Sequence, residues 1–562
     1  MSMKKIRQRR DHYLDFWDVV TYISLGIFSI LLVYPLFRLV IASFMTPAGT
    51  FAATEEFSML QTYVEFFTLR YYYQTMINSF LASILATVFA VLIGVPVAYL
   101  IYRINIPGKL LVRVAIVLTF VSPPFIGAYA WVLLLGRAGV ITTFFSGLGI
   151  TLPSIYGWRG IVLVFTLQAF PFVFLLVSSG LRSVDQSLED AAINMGRSPF
   201  GVFRTVILPL ILPSISTGAL LVFVTTFSDF GTPMIIGEGF RVLATLVYTE
   251  FVNEFGGNPR VASTLAILML TVTVGALLVQ RYFASRSSFG QEAVTPLGIR
   301  WVSTPQRILA AVIVYTVVIA ALLPTLTIVV SSFLESRGPL LIARFTLEGY
   351  RSAARLPIAL RNSIVFIFVS TVLCVVVGTL MGYIVARRKN RMTATIDTLS
   401  MTPYAVAGLV LGVALSISFG GAPFYLSGTG LILVMSFFIR RLPYSVRSVS
   451  GLLYQMGAHT EEASVNLGVP PGRTFLRVTL PQITPAVLSG ALLTMATIAR
   501  EFNSTVILYS GRTRTLPVEV FVQVLQGNFG PASVVGTVLI VLTLVPIVVL
   551  FKVFGKDEQA LV

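Results

Sequence analysis

The stretch Glu189-Asp190-Ala191-Ala192-Ile193-Asn194-Met195-Gly196, followed by Leu208-Pro209, returns in the second half of the chain as Glu461-Glu462-Ala463-Ser464-Val465-Asn466-Leu467-Gly468 with Leu480-Pro481. Phe203 and Phe475, and Pro213 and Pro485, keep the same offset in residue number. A constant offset in residue number over so many positions indicates an internal duplication. The chain is therefore predicted to consist of two copies of one unit, each with a polar, helix-prone insert inside an apolar run.

The composition is that of a membrane protein. Hydrophobic residues make up 56% of the 562 residues and charged residues 11%, and the mean hydropathy is +0.88. This leaves too little polar surface to cover a soluble globule of that size. Apolar stretches of about 20 residues, each long enough to cross a bilayer as a helix, recur along the whole chain. We therefore expect an all-α polytopic membrane protein.

The same counts argue against several other classes of protein. A single cysteine, Cys374, excludes a disulfide framework and a cysteine metal site, and two histidines leave little for a histidine metal site or redox chemistry. The net charge of +17 is scattered between the apolar stretches rather than gathered in a stripe, which argues against nucleic acid as a partner. No residue is assigned as a metal ligand.

The apolar stretches predict two tandem six-helix repeats, about 12 transmembrane helices in all. We expect the first repeat at 1–284, a cytoplasmic linker rich in Gly and Pro at 285–306, and the second repeat at 307–562. An excess of Lys and Arg in the predicted inner segments, including the basic start at 1–10, places both termini in the cytoplasm, although the outer segment 334–361 also carries five arginines. Because six crossings return the chain to the same side, the copies are predicted to be parallel repeats around a central pathway. The predicted spans are 18–45, 76–102, 112–136, 159–182, 210–231 and 262–284, then 307–333, 362–386, 396–419, 430–452, 484–506 and 533–555.

Each insert lies between the fourth and fifth predicted spans of its copy, on the cytoplasmic side. We call residues 187–208 the first insert and residues 459–480 the second insert. Each opens with acidic residues, which favour a helix N-terminus, and has a glycine able to turn the chain before a proline begins the next span. Short helices with exposed apolar side chains among charges are expected to need a partner groove.

The insert pattern resembles the EAA motif of binding-protein-dependent ABC importer permeases, with Ser464 departing from it at the second alanine. The resemblance implies a type I ABC importer permease fold, in which each insert forms a coupling helix that docks on an ATPase subunit. The residues that it assigns to coupling are Glu189, Asp190, Ala191, Ala192, Gly196 and Pro209 in the first copy, and Glu461, Glu462, Ala463, Gly468 and Pro481 in the second.

The chain contains no Gly-x-x-x-x-Gly-Lys-Ser/Thr phosphate-binding loop, so it is expected to be a permease without an ATP site of its own and not an enzyme. The resemblance implies two copies of a cytoplasmic ABC ATPase, which would bind ATP and Mg, and no cofactor on this chain. It also implies a periplasmic or lipoprotein substrate-binding protein docked on the outer loops at 46–75, 232–261, 334–361 and 507–532. The expected location is the inner membrane of a bacterial or archaeal cell.

Four ionisable residues are pathway candidates, because charge at membrane depth usually faces a cavity or a partner. Asp229 and Glu501 have the same offset as the inserts and lie at the outer end of the fifth span of each copy. Two such carboxylates suit a cationic cargo or a salt-bridged gate, and Arg500 is a candidate partner for Glu501. Arg440 and Arg441 either line the pathway and meet an anion or extend from a broken helix toward the membrane surface.

The stretch from Phe227 to Pro233, with Arg441-x-Pro443-Tyr444 and the fused layout, resembles the permeases of ferric-iron import systems most. Ferric iron is therefore the expected cargo. Permeases for polyamines, thiamine and 2-aminoethylphosphonate share much of the pattern and remain alternatives. A secondary transporter driven by an ion gradient is the alternative from another class of protein.

Overall fold

The structure is a computed structural model that describes residues 16–45, 60–121, 123–252, 257–286, 295, 297–300, 302–338, 340–353 and 356–554. The predicted basic start lies outside the described residues, as do residues 287–294, 296 and 301 of the predicted linker and residues 46–59 of the first outer loop.

The regular elements in the described part of the first copy are all helices. Its helices are α1 (Phe16–Phe28), α2 (Tyr34–Phe44), α3 (Gln61–Thr68), α4 (Arg70–Arg103), α5 (Lys109–Val121), α6 (Pro124–Leu135), α7 (Val140–Gly147), α8 (Trp158–Arg182), α9 (Gln186–Asn194), α10 (Pro199–Val202), α11 (Leu208–Phe227), α12 (Gly231–Ile236), α13 (Leu243–Phe251) and α14 (Pro259–Arg286). A π-helical turn at Ser29–Val33 joins α1 to α2, and another at Phe203–Ile207 joins α10 to α11.

The described part of the second copy repeats this order except for α7, which has no counterpart between residues 420 and 429, and it adds a small antiparallel hairpin. Its elements are α15 (Thr304–Ser331), β1 (Leu334–Arg337), β2 (Leu340–Phe345), α16 (Glu348–Ser352), α17 (Leu356–Arg387), α18 (Arg391–Ala405), α19 (Gly408–Phe419), α20 (Gly430–Gln455), α21 (His459–Asn466), α22 (Pro471–Thr474), α23 (Leu480–Ala499), α24 (Thr505–Leu508), α25 (Leu516–Leu525) and α26 (Phe529–Phe554). A third π-helical turn, Phe475–Thr479, joins α22 to α23.

The expectation of an all-α polytopic chain is confirmed. Among the described residues, ten helical segments are long and apolar enough to cross a membrane, and α18 with α19 makes an eleventh if this bent pair counts as one span. The fourth predicted span of the second copy is present as α20, 26 residues long, but it carries Arg440, Arg441 and Arg447 and is not among these ten segments.

The third predicted span of each copy, 112–136 and 396–419, is not one continuous helix. In the first copy it is divided into α5 and α6, with Pro123 and Pro124 at the start of α6, where a missing backbone N–H does no harm. In the second copy α18 and α19 meet at 109°. Broken helices of this kind bring backbone ends and polar groups to membrane depth.

The two copies pack their cores alike. Helix α4 lies against α8 and α11 in the first copy, as α17 lies against α20 and α23 in the second. The crossings are close: an ideal Cβ on Gly94 would lie 2.8 Å from Cβ of Val173, and one on Gly378 would lie 2.5 Å from Cβ of Ser445. Val173 and Ser445 keep the offset of the inserts, whereas Gly94 and Gly378 are further apart in the sequence. The duplication therefore extends to the second spans with a different offset, because the segment between glycine and partner is shorter in the second copy.

The first span of each copy packs on the other copy. Helix α1 contacts α17 and α18, and α2 contacts α19, while α15 contacts α4, α5 and α6. Trp17 is 2% exposed and stacks on Tyr383 with ring centroids 4.2 Å apart. This exchange buries apolar surface between the copies and makes the two repeats one body.

Candidate functional site

The first insert forms two short helices that end in the π-helical turn before α11. The carboxylate of Asp185 caps α9 by accepting the N–H of Ser187 at 2.9 Å. Gly196 ends this helix with a φ of +81°, and Gly468 has a φ of +84° at the same place in the second insert. A positive φ of this size disfavours side chains other than glycine. The turn that each glycine makes is thus a local property of the motif.

The first insert is anchored to the end of α4 by a buried ion pair. Nη2 of Arg103, the last residue of α4, lies 2.6 Å from both carboxylate oxygens of Glu189. The two side chains are 3% and 4% exposed. Nη1 of Arg103 donates to the carbonyl of Gly298, and the N–H of Arg300 donates to the carbonyl of Arg103 at 2.7 Å. A short piece of the chain between the copies therefore holds the same arginine.

The second insert is anchored at the same motif position, in a more open setting. Nε and Nη2 of Arg387 lie 3.2 Å and 3.1 Å from Oε1 of Glu461, and the hydroxyl of Tyr383 lies 3.1 Å from Oε2. The Arg387 and Glu461 side chains are each 14% exposed. Nη1 of Arg387 also donates to the carbonyls of Leu453 and Met456. Both anchors join an insert to the end of the second span of its own copy.

The departure of Ser464 from the motif is matched by a second difference. Its hydroxyl lies 3.0 Å from that of Thr474. In the first copy the corresponding residues are Ala192 and Val202, which are both buried. A hydrogen-bonded pair in one insert thus replaces an apolar pair in the other, so each hydroxyl has a partner.

The outward faces of both inserts expose large apolar side chains. Met195 and Phe200 are 78% and 71% exposed in the first insert, and Leu467 is 85% exposed in the second. Ile193 and Val465 are exposed beside them. Apolar groups that project from a polar, firmly anchored helix mark a surface suited to a protein partner. The other coupling candidates that are exposed are Asp190, Ala191, Gly196, Pro209, Glu462, Ala463, Gly468 and Pro481.

The carboxylate of Glu501 lies just beyond the end of α23 and pairs with two arginines of α20. Nη1 of Arg440 is 3.2 Å from Oε1, and Nη2 of Arg441 bonds Oε2. The N–H and hydroxyl of Ser504 face Oε1 at 3.4 Å and 3.2 Å. The structure thus brings together Glu501, Arg440 and Arg441, which sequence reasoning treated as separate candidates.

Asp229 occupies the same place in the first copy with different surroundings. It is 7% exposed, and its Oδ2 accepts the N–H of Thr232 at 3.1 Å. None of the ion pairs between described residues includes Asp229. The residues that correspond to Arg440 and Arg441 are Gln168 and Ala169. The two carboxylates are therefore related by the duplication but not by their charge environment.

Aromatic rings from both copies meet next to these carboxylates. Phe502 lies with its centroid 4.4 Å from Phe125, 5.8 Å from Phe230 and 5.0 Å from Phe521, and Tyr248 lies 4.5 Å from Phe230. We call these five residues the central aromatic cluster. An ideal Cβ on Gly231 would lie 2.6 Å from Cβ of Phe125, so the packing here is tight. Sequence reasoning missed the cluster, although Phe230 and Phe502 share the offset of the duplication.

Comparison with known proteins identifies the family. The model of the family described as "Binding-protein-dependent transport system inner membrane component" matches residues 90–289 and 374–556. The ferric transport system permease protein FbpB of Actinobacillus pleuropneumoniae is 27% identical over 91% of this chain and 74% of its own length. The molybdenum transport system permease protein ModB of Escherichia coli K12 is 32% identical over 38% of this chain and 93% of its own.

Among solved structures, a bacterial ABC transporter involved in the import of alginate matches 48% of this chain and 95% of its own, with 17% identity and a TM-score of 0.38. The two family segments each contain one insert and one carboxylate, and the relatives are permeases of the same class. The chain belongs to the binding-protein-dependent transport system inner membrane components and is a permease subunit of an ABC importer.

Proposed function

We propose that this chain forms the translocation pathway of an ATP-driven importer in which each insert docks one copy of a separate ABC ATPase. The observation that carries the proposal is the repeated arrangement of an exposed apolar tip on an anchored base. Met195 and Leu467 project from helices whose bases are fixed by Arg103–Glu189 and Arg387–Glu461. Two such tips in one chain match two ATPase subunits.

The anchors also account for how motion reaches the membrane. Each insert is covalently joined to the fourth and fifth spans, and its ion pair adds the second span as a third attachment. A force on the insert is therefore transmitted to three helices that cross closely at Gly94 or Gly378. Since packed helices shift as units, ATP-driven movement of the two inserts is expected to separate or close the two copies.

The central aromatic cluster fits the closed part of this pathway. Its rings come from both copies and leave no room for a Cβ at Gly231. Opening has to separate Phe230 from Phe502, which lie in different copies. We place both termini and both inserts in the cytoplasm and the substrate-binding protein on the opposite face, with the ATP and Mg sites in the ATPase subunits.

We propose ferric iron as the cargo. The similarity to ferric transport permeases extends over 91% of this chain, and Asp229 supplies a buried carboxylate beside the cluster. Polyamines, thiamine and 2-aminoethylphosphonate are the alternative cargoes, and competition of each with ⁵⁵Fe(III) uptake tests them.

Orientation can be tested with introduced cysteines. The single natural cysteine, Cys374, is fully buried, so a membrane-impermeant maleimide reports the introduced thiol. Met195→Cys should react only from the cytoplasmic side, and Leu148→Cys, at an exposed position predicted to lie outside, should react only from the periplasmic side. Labelling of Met195→Cys from the periplasm would refute the coupling role.

Coupling can be tested by transport. In proteoliposomes that contain this chain, its ATPase and its binding protein, Met195→Asp and Leu467→Asp should each lower ATP-driven ⁵⁵Fe(III) uptake at least tenfold, while Leu148→Asp leaves it unchanged. Uptake that needs no ATPase and follows an ion gradient would instead support a secondary transporter.

A further inference from the structure

Arg440 and Arg441 on α20 carry more positive charge than the single carboxylate of Glu501 neutralises. Arg440 and Arg441 both contact this one carboxylate. The Nε atoms of both arginines are buried and have no hydrogen-bond partner among the described residues, and Nη1 of Arg440 is near Glu501 without hydrogen-bond alignment. Buried guanidinium groups normally have their donors satisfied. Two guanidinium groups therefore share one carboxylate, and some of their N–H donors have no hydrogen-bond partner among the described residues.

A helix end adds to the surplus of positive charge. Nη1 of Arg440 lies against the first residue of α19, so close that an ideal Cβ on Gly408 would be 1.7 Å from it. Ala407, at the N-cap position of α19, supplies no side-chain oxygen to the first N–H groups. A helix N-terminus carries partial positive charge and favours an anion, not a guanidinium group.

The fold does not require this charge. In the first copy Gln168 stands where the second has Arg440, and its amide nitrogen would be 2.1 Å from an ideal Cβ on Gly127, near the start of α6. The same close approach to a broken span is thus built with a neutral side chain. The surplus charge belongs to the second copy alone, which points to one binding site and not to a symmetric structural feature.

The surplus positive charge lies beside the pathway proposed for the cargo. Glu501 directly precedes Phe502 of the central aromatic cluster. Asn503 lies close to Gly408, because the Cβ of Asn503 would be 2.9 Å from an ideal Cβ built on Gly408. The carboxylate that both arginines share therefore lies one residue from the contact between the copies.

We propose that Arg440, Arg441 and the N-terminus of α19 form a binding site for one small tetrahedral oxyanion of the phosphate or molybdate type next to the central aromatic cluster. Its role in transport rests on the proposed function. Planar, forked guanidinium donors and free backbone N–H groups suit oxyanion oxygens. The oxyanion is placed here as a companion that crosses with ferric iron, the proposed cargo. Transport of the oxyanion by itself involves the same recognition chemistry and is the outcome that the uptake test below distinguishes.

Binding can be measured on the full chain in nanodiscs, without ATPase or ATP. Equilibrium dialysis with [³²P]orthophosphate and with molybdate should show one saturable site per chain. Arg440→Gln, which installs the side chain of the first copy, should weaken binding at least tenfold. Arg440→Lys, which keeps the charge but loses the forked donors, should weaken it less. Arg307→Gln, at an exposed position on α15, changes the net charge equally and should have no effect.

The absence of saturable binding of either oxyanion to the unchanged chain would overturn the site, as would equal binding by the unchanged chain and a folded Arg440→Gln variant. If Arg440→Gln does not fold, the comparison of Arg440→Lys with the unchanged chain decides, and equal affinity refutes the site.

Uptake by the complete importer then distinguishes an oxyanion that is itself the cargo from one that accompanies ferric iron. Cargo oxyanion enters without iron, whereas a companion oxyanion raises ⁵⁵Fe(III) uptake and does not enter alone. Because the binding measurement involves no ATPase, a failure of ATP-driven uptake with binding intact counts against the proposed function and not against the site.

Discussion

The unequal burial of the two insert anchors leads to an unequal response to the same substitution. Glu189→Gln removes one charge from a pair whose side chains are 3% and 4% exposed. Arg103 is then left buried without its counter-charge, and breaking a buried pair in this way costs about 3–5 kcal/mol. Glu461→Gln removes the matching charge where both side chains are 14% exposed and Arg387 keeps three backbone carbonyls as acceptors. We expect a cost there of about 1.5 kcal/mol, the value of a hydrogen bond to a charged group.

Hydrogen exchange read by mass spectrometry measures both effects locally. In Glu189→Gln the amides of α9 should exchange roughly 100- to 4,000-fold faster, since about 1.4 kcal/mol corresponds to a factor of ten, while α21 is unchanged. In Glu461→Gln the amides of α21 should exchange only about tenfold faster by the same conversion. The double variant Arg103→Met/Glu189→Leu should recover most of the protection, because it leaves no buried charge without a partner.

Equal acceleration in the two single variants would refute the reasoning, because it would mean that burial does not set the strength of the anchors. The reasoning would also fail if the amides of α9 exchanged as fast in the double variant as in Glu189→Gln. The lost protection would then not come from a buried Arg103 without a counter-charge.

Three further outcomes are expected. Gly196→Val and Gly468→Val should each strain a left-handed turn by about 1–2 kcal/mol and lower ATP-driven uptake. Gly26→Val, at an open helical position, is the control. Equal uptake in all three variants would contradict the role of the turn. Trp17→Ala should destabilise the chain by about 3–5 kcal/mol in a thermal unfolding assay, because it empties a buried site between the copies; a melting temperature equal to that of the unchanged chain would contradict the exchange of first spans. Burial, aided by the charge of Arg113, lowers the pKa of Lys109 to about 8, so an amine-acylating reagent should modify it with a midpoint near pH 8; a midpoint above about pH 10, as for an ordinary lysine, would contradict this.

The inserts show how far local sequence reasoning reaches. Acidic residues at the start of a helix, a glycine that needs a positive φ and a proline that begins the next span all act within a few residues of themselves. Helices α9 and α21 and the turns at Gly196 and Gly468 therefore form where the motif predicts them. The partners Arg103 and Arg387 were not predicted, because they lie far from their glutamates in the sequence, at the ends of α4 and α17.

The pathway candidates show where such reasoning stops. The shared offset related Asp229 to Glu501 and suggested a symmetric pair of carboxylates. Glu501 pairs with two arginines that lie on another helix, α20, whereas Asp229 accepts a hydrogen bond from Thr232 within its own turn and forms no ion pair with a described residue. The charge balance around a carboxylate depends on which helices cross beside it, and that is a tertiary property.

By itself the sequence determined that the chain crosses the membrane many times, that it contains two copies of one unit and that each copy carries an insert of one design. These are properties of composition, period and local backbone preference, which need no knowledge of distant contacts. Only the tertiary structure decided that the copies exchange their first spans, that the third spans are broken beside the centre and that five aromatic rings meet there. Each of these depends on which apolar surfaces bury one another, and many pairings of hydrophobic helices satisfy the same sequence pattern until close packing selects one of them.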